Sequence, residues 1–317
     1  MPDRVDLRWI LKALTPPLVV IAVKGLLRRL GLLATPPPLQ AEPPVAAERG
    51  PAEFVYVPEG WTRHAEGWDG GTVAEAYLAK WPEWVAALDG PGPLGVYHEA
   101  RAGDLLRRDD MASHNMLVSF AYVLARAARR RDEISVLDWG GGLGHYAVLA
   151  WAVVPEIAVD WHCREVPSVA TAGEAANPDV TFHTDDGCLD RSYDLVLASS
   201  SLQYEPDWPT LLRRLGAAAN GFLLVTRVPI ALETPSFVVL QRAAAYGYAT
   251  DYLGWVISRD ELLAEAQGAG LVLDRELLLD AWLSAEGAPE DPIGHRGFLF
   301  RPARPPGNGR HRPTIAR

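Results

Sequence analysis

Residues 136–146 read VLDWGGGLGHY: an apolar run closed by Asp138, then four glycines within five positions, then a His-Tyr pair. Glycine loses more backbone freedom on folding than any other residue. Gly140, Gly141, Gly142 and Gly144 are therefore costly together, unless the corner needs a left-handed backbone or a ligand must touch a backbone bare of Cβ atoms. The flanks show which kind of corner it is. Apolar residues over 134–137 predict a short strand, and the run 146–153 predicts a helix. Strand, acid, glycine corner and helix form the first crossover of a doubly wound sheet, where a helix N-terminus and bare backbone receive a nucleotide.

The pattern repeats outward from this corner. Strands are predicted over 157–163, 180–183, 194–198 and 222–225, and helices over 168–176 and 208–218, the last entered through Pro209. Upstream, HNMLVSFAYVLARAARR begins a helix at His114, with its arginines gathered at the C-terminal end that the macrodipole favours. Downstream, SRDELLAEAQGAG predicts a helix with Ser258 as N-cap and Glu261 three residues on as its capping-box partner, followed by strands over 271–277 and 297–300. Short apolar strands alternating with helices predict a mostly parallel sheet covered on both faces.

Before this body, residues 54–113 read as an accessory cap rich in tryptophan (Trp61, Trp68, Trp81, Trp84), with a helix over 73–80 that breaks before Pro82. Residues 34–53 carry six prolines and read as a linker. Residues 1–33 sum to +4 and 301–317 to +5, so with a chain total of −10 the part between them stands near −19. An acidic body repels phosphate backbones, which argues against nucleic acid as a partner. The longest uncharged run in the basic segment is 11 residues and contains Pro16-Pro17, short of the ~20 that a spanning helix needs. Two readings of 1–33 stay open: peripheral contact with an anionic membrane surface, or short helices docked on the body. Cys163 and Cys188 form neither a disulfide framework nor a zinc motif, so a cytoplasmic, metal-free protein is expected. The basic end 301–317 reads as a disordered tail.

The glycine corner admits two cofactor readings. GLGHYA, at 142–147, satisfies the dinucleotide pattern and would suit an NAD-dependent oxidoreductase. The register D-x-G-x-G-x-G, carried by Asp138, Gly140, Gly142 and Gly144, puts an acid where a pyrophosphate would be repelled and a ligand bearing ammonium and sulfonium charge attracted. That register resembles the class I S-adenosylmethionine-dependent methyltransferases. The succession DWGGGLGHY, VPSVATAG, ASSSLQY and TRVP is similar to a little-characterised bacterial subgroup often associated with surface polysaccharide genes. The resemblance implies a doubly wound, mostly parallel seven-stranded Rossmann-like α/β sheet over 114–300, with an N-terminal helical or irregular cap. It also implies S-adenosylmethionine as cofactor. Residue by residue, it implies Asp138, Gly140, Gly141, Gly142 and Gly144 at the amino-acid end, Glu165 on the ribose with Asp160 as competitor, Asp185 and Asp186 beside the adenine, and Ser199 on the methyl-transfer face. For Asp185 and Asp186 the turn signal in DDG is nearly as good a reading as the adenine one.

Methyl transfer needs a nucleophile in line with the sulfonium and, for an oxygen acceptor, a route for its proton. Tyr204 is the candidate orienting hydroxyl, and His145, His114, His98 and His295 are the candidate bases. Arg227, in VTRVP, is the candidate partner of an acceptor carboxylate or phosphate, with a strand-end salt bridge as the alternative. Tyr246, Tyr248, Tyr252 and Trp255 are expected to roof an acceptor site that suits a small molecule, a sugar or a lipid-linked glycan. The expected function is O-methylation of such an acceptor. A catalytically silent binding module of the same fold is the further alternative.

Overall fold

The computed structural model describes residues 52–61, 67–69, 71–88 and 111–303. The expected basic segment 1–33, most of the linker 34–53, His98 and most of the tail lie outside these residues. In chain order come β1 (Phe54–Tyr56), α1 (Gly71–Ala87) and α2 (Met111–Ala127). The alternating section is β2 (Glu133–Trp139), α3 (His145–Val153), β3 (Ala158–Arg164), α4 (Pro167–Ala176), β4 (Thr181–His183), β5 (Tyr193–Ser199), α5 (Trp208–Ala218) and β6 (Ala219–Ala231). It is followed by β7 (Phe237–Arg242), β8 (Asp251–Ser258), α6 (Arg259–Gly268), β9 (Leu271–Leu283), β10 (Ala285–Glu286) and β11 (Ile293–Pro302).

Seven strands make the main sheet in the order β4-β3-β2-β5-β6-β11-β9. The pairs from β4 to β6 are parallel, and β11 runs antiparallel to both β6 and β9. This is the doubly wound, mostly parallel sheet that the alternation predicts. The strand order reverses between β2 and β5, so a crevice opens beyond their C-terminal ends, and the glycine corner leaves β2 at that point. The centre of the sheet is buried on both faces. Ile134, Val136, Leu195 and Leu197 pack with α2 and α3 in one apolar cluster, while Leu137, Val196, Leu212 and Leu215 pack on the other side with α5.

A second, small sheet grows from the first. β7 and β8 form an antiparallel hairpin, β8 joins β6 through the parallel pairs Ile230↔Ile257 and Ala231↔Ser258, and β1 and β10 extend the sheet beyond β7. The sequence reading had the aromatic residues of this segment but not its strands.

Two local expectations are corrected. Helix α1 does not break before Pro82 but runs through it to Ala87. Pro82 removes only the hydrogen bond to the carbonyl of Leu78, and both residues are exposed, so water can satisfy that carbonyl while Val73, Tyr77 and Trp84 bury the opposite face. The capping box of α6 does not form. Ser258 is the N-cap without a side-chain bond. Glu261 instead accepts from Ser236 Oγ at 2.5 Å, while the Ser258 N–H donates to the same hydroxyl at 2.8 Å. A neighbouring loop thus serves the helix start that the sequence alone assigned to a local motif.

Candidate active site

The glycine corner is built under two constraints at once. Gly140 and Gly142 have φ of +72° and +63°, a region that side chains rarely adopt. A Cβ on Gly140 would also lie 2.6 Å from Ser201 Cβ, and one on Gly142 3.0 Å from His145 Nδ1. Gly141 covers the Asp138 carboxylate, and Gly144, at φ +80°, is the N-cap of α3. Over this bare backbone opens a cavity of about 290 Å³, bounded by Trp139, Glu165, Val166, Ser199 and Tyr204.

Two acids define the electrostatics of this end. Glu165 follows β3 and turns back over the corner, its Oε1 accepting from the Gly142 N–H at 2.8 Å and its Oε2 from the Val166 N–H at 2.9 Å. Burial pushes its carboxyl up to about 7, against the lowering effect of those two N–H donors and of Arg164. Asp138 lies fully buried beneath the corner, against Cys163, and neither carboxylate oxygen has a hydrogen-bond partner. Burial, then the charge of Glu165, raises its carboxyl well above the usual range. An orphaned buried carboxyl, an acid on the cavity wall and a glycine backbone together fit a ligand with positive charge at one end and a diol within reach of Glu165.

The other expected residues divide. Ser199 lines the cavity, with its Oγ 2.9 Å from the Tyr146 hydroxyl. Asp160 does not reach it: it pairs with Arg191 at 3.0 Å and lies 3.2 Å from His162. Asp185 and Asp186 are not brought to it either. Asp185 caps its own turn by accepting from the Gly187 N–H at 2.8 Å, and Asp186 pairs with Arg164 at 3.2 Å and Arg214 at 2.5 Å. The turn signal in DDG is what the geometry follows. Sequence reasoning missed Trp139 and Arg164, which line the cavity with the guanidinium 4.5 Å from the ring centroid. Their positions at the C-terminal ends of the first two parallel strands are the signal that would have found them.

A second cavity, of about 360 Å³, lies beside the first under the small sheet. Tyr246, Tyr248, Tyr252 and Trp255 line it, and so do Glu53, Gln241 and His295. The two cavities share a wall made of Trp68, Ser200, Tyr204 and Arg227. Tyr204 donates its hydroxyl to Gln241 Oε1 at 2.8 Å, Gln241 Nε2 lies 3.4 Å from Glu53, and Tyr246 donates to the same Glu53 oxygen at 2.6 Å. Trp68 stacks on Tyr252 with centroids 4.2 Å apart and closes the roof over this wall. His145 lines the first cavity only, buried among the rings of Tyr77, Trp81 and Trp84 at 5.1 to 5.7 Å. Of the candidate histidines among the described residues, His295 is the one that lines the second cavity.

A doubly wound sheet with a glycine corner at its switch point and an acid after the second strand defines a nucleotide-cofactor protein. The chain belongs to the methyltransferase-domain family, whose model matches residues 112–276, just over half of its length, and its cofactor is S-adenosylmethionine. The dinucleotide reading of GLGHYA is set aside by that membership. The chain is 30% identical over 131 residues to trans-aconitate 2-methyltransferase of Methylobacterium radiotolerans, a match covering 40% of this chain and 50% of the relative. It thus spans about half the length of that relative. It is also similar to the solved 1,6-didemethyltoxoflavin-N1-methyltransferase of Burkholderia thailandensis, at 17% identity and a TM-score of 0.41 over 73% of this chain and 91% of the other. An S-adenosylmethionine-dependent methyltransferase of Clostridium acetobutylicum aligns at 10% identity and a TM-score of 0.42 over 63% and 96%.

Proposed function

We propose that the protein transfers the methyl group of S-adenosylmethionine to an oxygen atom of a small-molecule or glycan acceptor held in the aromatic cavity. The observation that carries this reading is the wall of Trp68, Ser200, Tyr204 and Arg227 common to both cavities. A group seated against it touches the cofactor side and the acceptor side at once. The bound cofactor supplies a methyl group already activated on a sulfonium. What remains for the chain is binding, alignment and the exclusion of water.

The backbone of Gly140, Gly141 and Gly142 receives the amino-acid end, with Asp138 beneath it, and Glu165 holds the ribose hydroxyls. Tyr204 orients the acceptor, its hydroxyl fixed by Gln241, and the stack of Trp68 on Tyr252 keeps solvent off the wall. Arg227 presents a buried guanidinium to the acceptor. Packed among three rings on the cofactor side, His145 shapes that cavity, and the acceptor cavity has His295 as its histidine. Aromatic faces beside Glu53 and Gln241 suit a ring that carries hydroxyl groups. The Methylobacterium relative is named for a small molecule, which supports an acceptor of that size. Cys163 and Cys188 are both free and buried, which suits a reducing, cytoplasmic setting.

Isothermal calorimetry with adenosylhomocysteine and with NAD tests the cofactor side. Transfer of a labelled methyl group to a panel of small acceptors, read by mass spectrometry, tests the reaction. Saturable binding of adenosylhomocysteine and a product heavier by one methylene are expected. Binding of NAD alone would overturn the reading.

A further inference from the structure

The wall between the cavities carries an unusual concentration of backbone strain. Among the described residues four non-glycine side chains have left-handed φ, and two of them, Ser200 at +55° and Arg227 at +57°, belong to this wall. Each such residue costs on the order of 1 to 3 kcal/mol and persists where the surroundings hold it, most often at functional sites. For Arg227 the cause is visible. The ladder between β6 and β11 slips between the pairs Phe298↔Val225 and Arg296↔Val228, so Thr226 and Arg227 share one partner, Gly297. A Cβ on Gly297 would stand 2.8 Å from Thr226 Oγ1, so a glycine is needed for the bulge to fit. Bulges re-aim a side chain, and this one sits at Arg227, a buried arginine that lines both cavities. The rest of the bulge is tied down: the Ser200 N–H donates to the Thr226 carbonyl at 2.9 Å, and Gln203 Nε2 lies 3.5 Å from the Arg227 carbonyl.

Resting on the methyl-transfer reading, we propose that the acceptor is a carboxylic acid and that Arg227 binds its carboxylate at the junction, where one carboxylate oxygen is the methylated atom. One buried guanidinium matches one carboxylate in a two-point contact. The cavity's carboxylate, Glu53, stands against a dianion such as a phosphate ester. In the reaction the carboxylate oxygen forms a bond to the methyl carbon as the bond from that carbon to sulfur breaks. The bonding pair of that bond stays on sulfur, the sulfonium and carboxylate charges disappear together, and no proton moves. A carboxylic acid ionises near pH 4, so no general base is required at neutral pH. His295, the candidate base that lines the acceptor cavity, is then not needed as a base.

The test offers the full-length protein benzoate, cinnamate and indole-3-acetate beside their corresponding alcohols, with tritiated-methyl S-adenosylmethionine. The expected product is made from the acids and releases volatile methanol in dilute alkali, because esters hydrolyse and ethers do not. At saturating S-adenosylmethionine, which removes the pH dependence of cofactor binding at Glu165, its formation should not fall as pH is lowered from 8 to 6. Arg227→Gln is expected to lower kcat/KM for the acids roughly ten- to hundred-fold, with partial recovery in Arg227→Lys. Calorimetry with adenosylhomocysteine on both variants reports whether they are folded. Alkali-stable product, or equal transfer to acids and alcohols, overturns the carboxylate assignment and leaves the methyltransferase reading standing. If neither series is methylated, thermal shifts of the adenosylhomocysteine-saturated protein decide: acids must raise Tm above their alcohols, and equal shifts overturn the assignment. Failure of the wild type to bind adenosylhomocysteine overturns the underlying reading instead.

Discussion

With Glu165 on the ribose, as proposed, a carboxyl pushed up to about 7 would make cofactor binding a proton-linked event. Its folded value lies above the ordinary 4.5, so its contribution to stability is present below pH 4.5 and is lost as pH rises through about 7. Ribose hydroxyls donating to the ionised form reverse that loss. Affinity for adenosylhomocysteine is therefore expected to rise between pH 5.5 and 7 and level off above, with proton release that calorimetry in buffers of different ionisation heat will detect. Glu165→Gln should weaken binding by roughly 1 to 3 kcal/mol and flatten the pH dependence, whereas Asp160→Asn should do neither. At Gly142 the expectation is geometric. Gly142→Val forces a branched side chain into φ +63° and against His145 Nδ1 at 3.0 Å, so it should abolish adenosylhomocysteine binding in calorimetry. Retained affinity would mean that the ligand does not lie on this backbone.

Among the elements, the β7–β8 hairpin separates the acceptor's fate from the cofactor's. Gln241 on β7 touches Tyr204 and Glu53 and lines the larger cavity alone, so Gln241→Leu cuts the polar chain without reaching the glycine corner. We expect kcat/KM for the acceptor to fall roughly tenfold or more, with affinity for adenosylhomocysteine unchanged within about threefold. Loss of both affinities together would mean that the hairpin holds the fold rather than the acceptor. The same hairpin shows what the sequence could reveal. β2 and β5 carry short apolar runs, Val136-Leu137 and Leu195–Ala198, at the centre of a parallel sheet, so composition and flanking turns expose them. Over 237–258 the strands have a mixed pattern, with Gln241, Arg242 and Asp251 beside four tyrosine or tryptophan residues, because one face lines a polar cavity. Such a pattern reads as a binding segment before it reads as a strand. The glycine corner and Glu165 were legible because bare backbone and strand-end acids are local features. Tyr204 and Arg227 were legible singly as acceptor-side candidates, but the shared wall was not, since Trp68, the Ser200–Tyr204 segment and Arg227 meet only after three separate parts of the chain have folded.

For the molecule as a whole, the decisive feature is that the aromatic cavity proposed for the acceptor lies where the two sheets join. Its lining comes from β6, β9 and β11 of the main sheet, from β7 and β8 of the small one, from α2, and from Glu53 and Phe54 at β1. Among the described residues the sheets share two residue pairs of backbone ladder, Ile230↔Ile257 and Ala231↔Ser258, so much of their coupling falls to side chains. Tyr204 against Tyr252 at 5.8 Å and Trp255 Nε1 donating to the Pro206 carbonyl at 3.3 Å tie the small sheet to the segment that follows β5. A ligand on the glycine corner touches the same wall, so its binding energy should be felt throughout residues 52–303 and not only at the corner. At a hundred times its dissociation constant, adenosylhomocysteine adds about 2.7 kcal/mol to the folded state, which for a body of this size is roughly 5 to 10 °C in Tm. Differential scanning calorimetry should show one transition moving upward as a unit, and hydrogen exchange should slow on β7 and β8 as well as on β2 and β3. A ligand-induced split into two transitions, with β7 and β8 unprotected, would show that the small sheet opens independently of the cofactor. The cavity would then be assembled by the acceptor rather than before it.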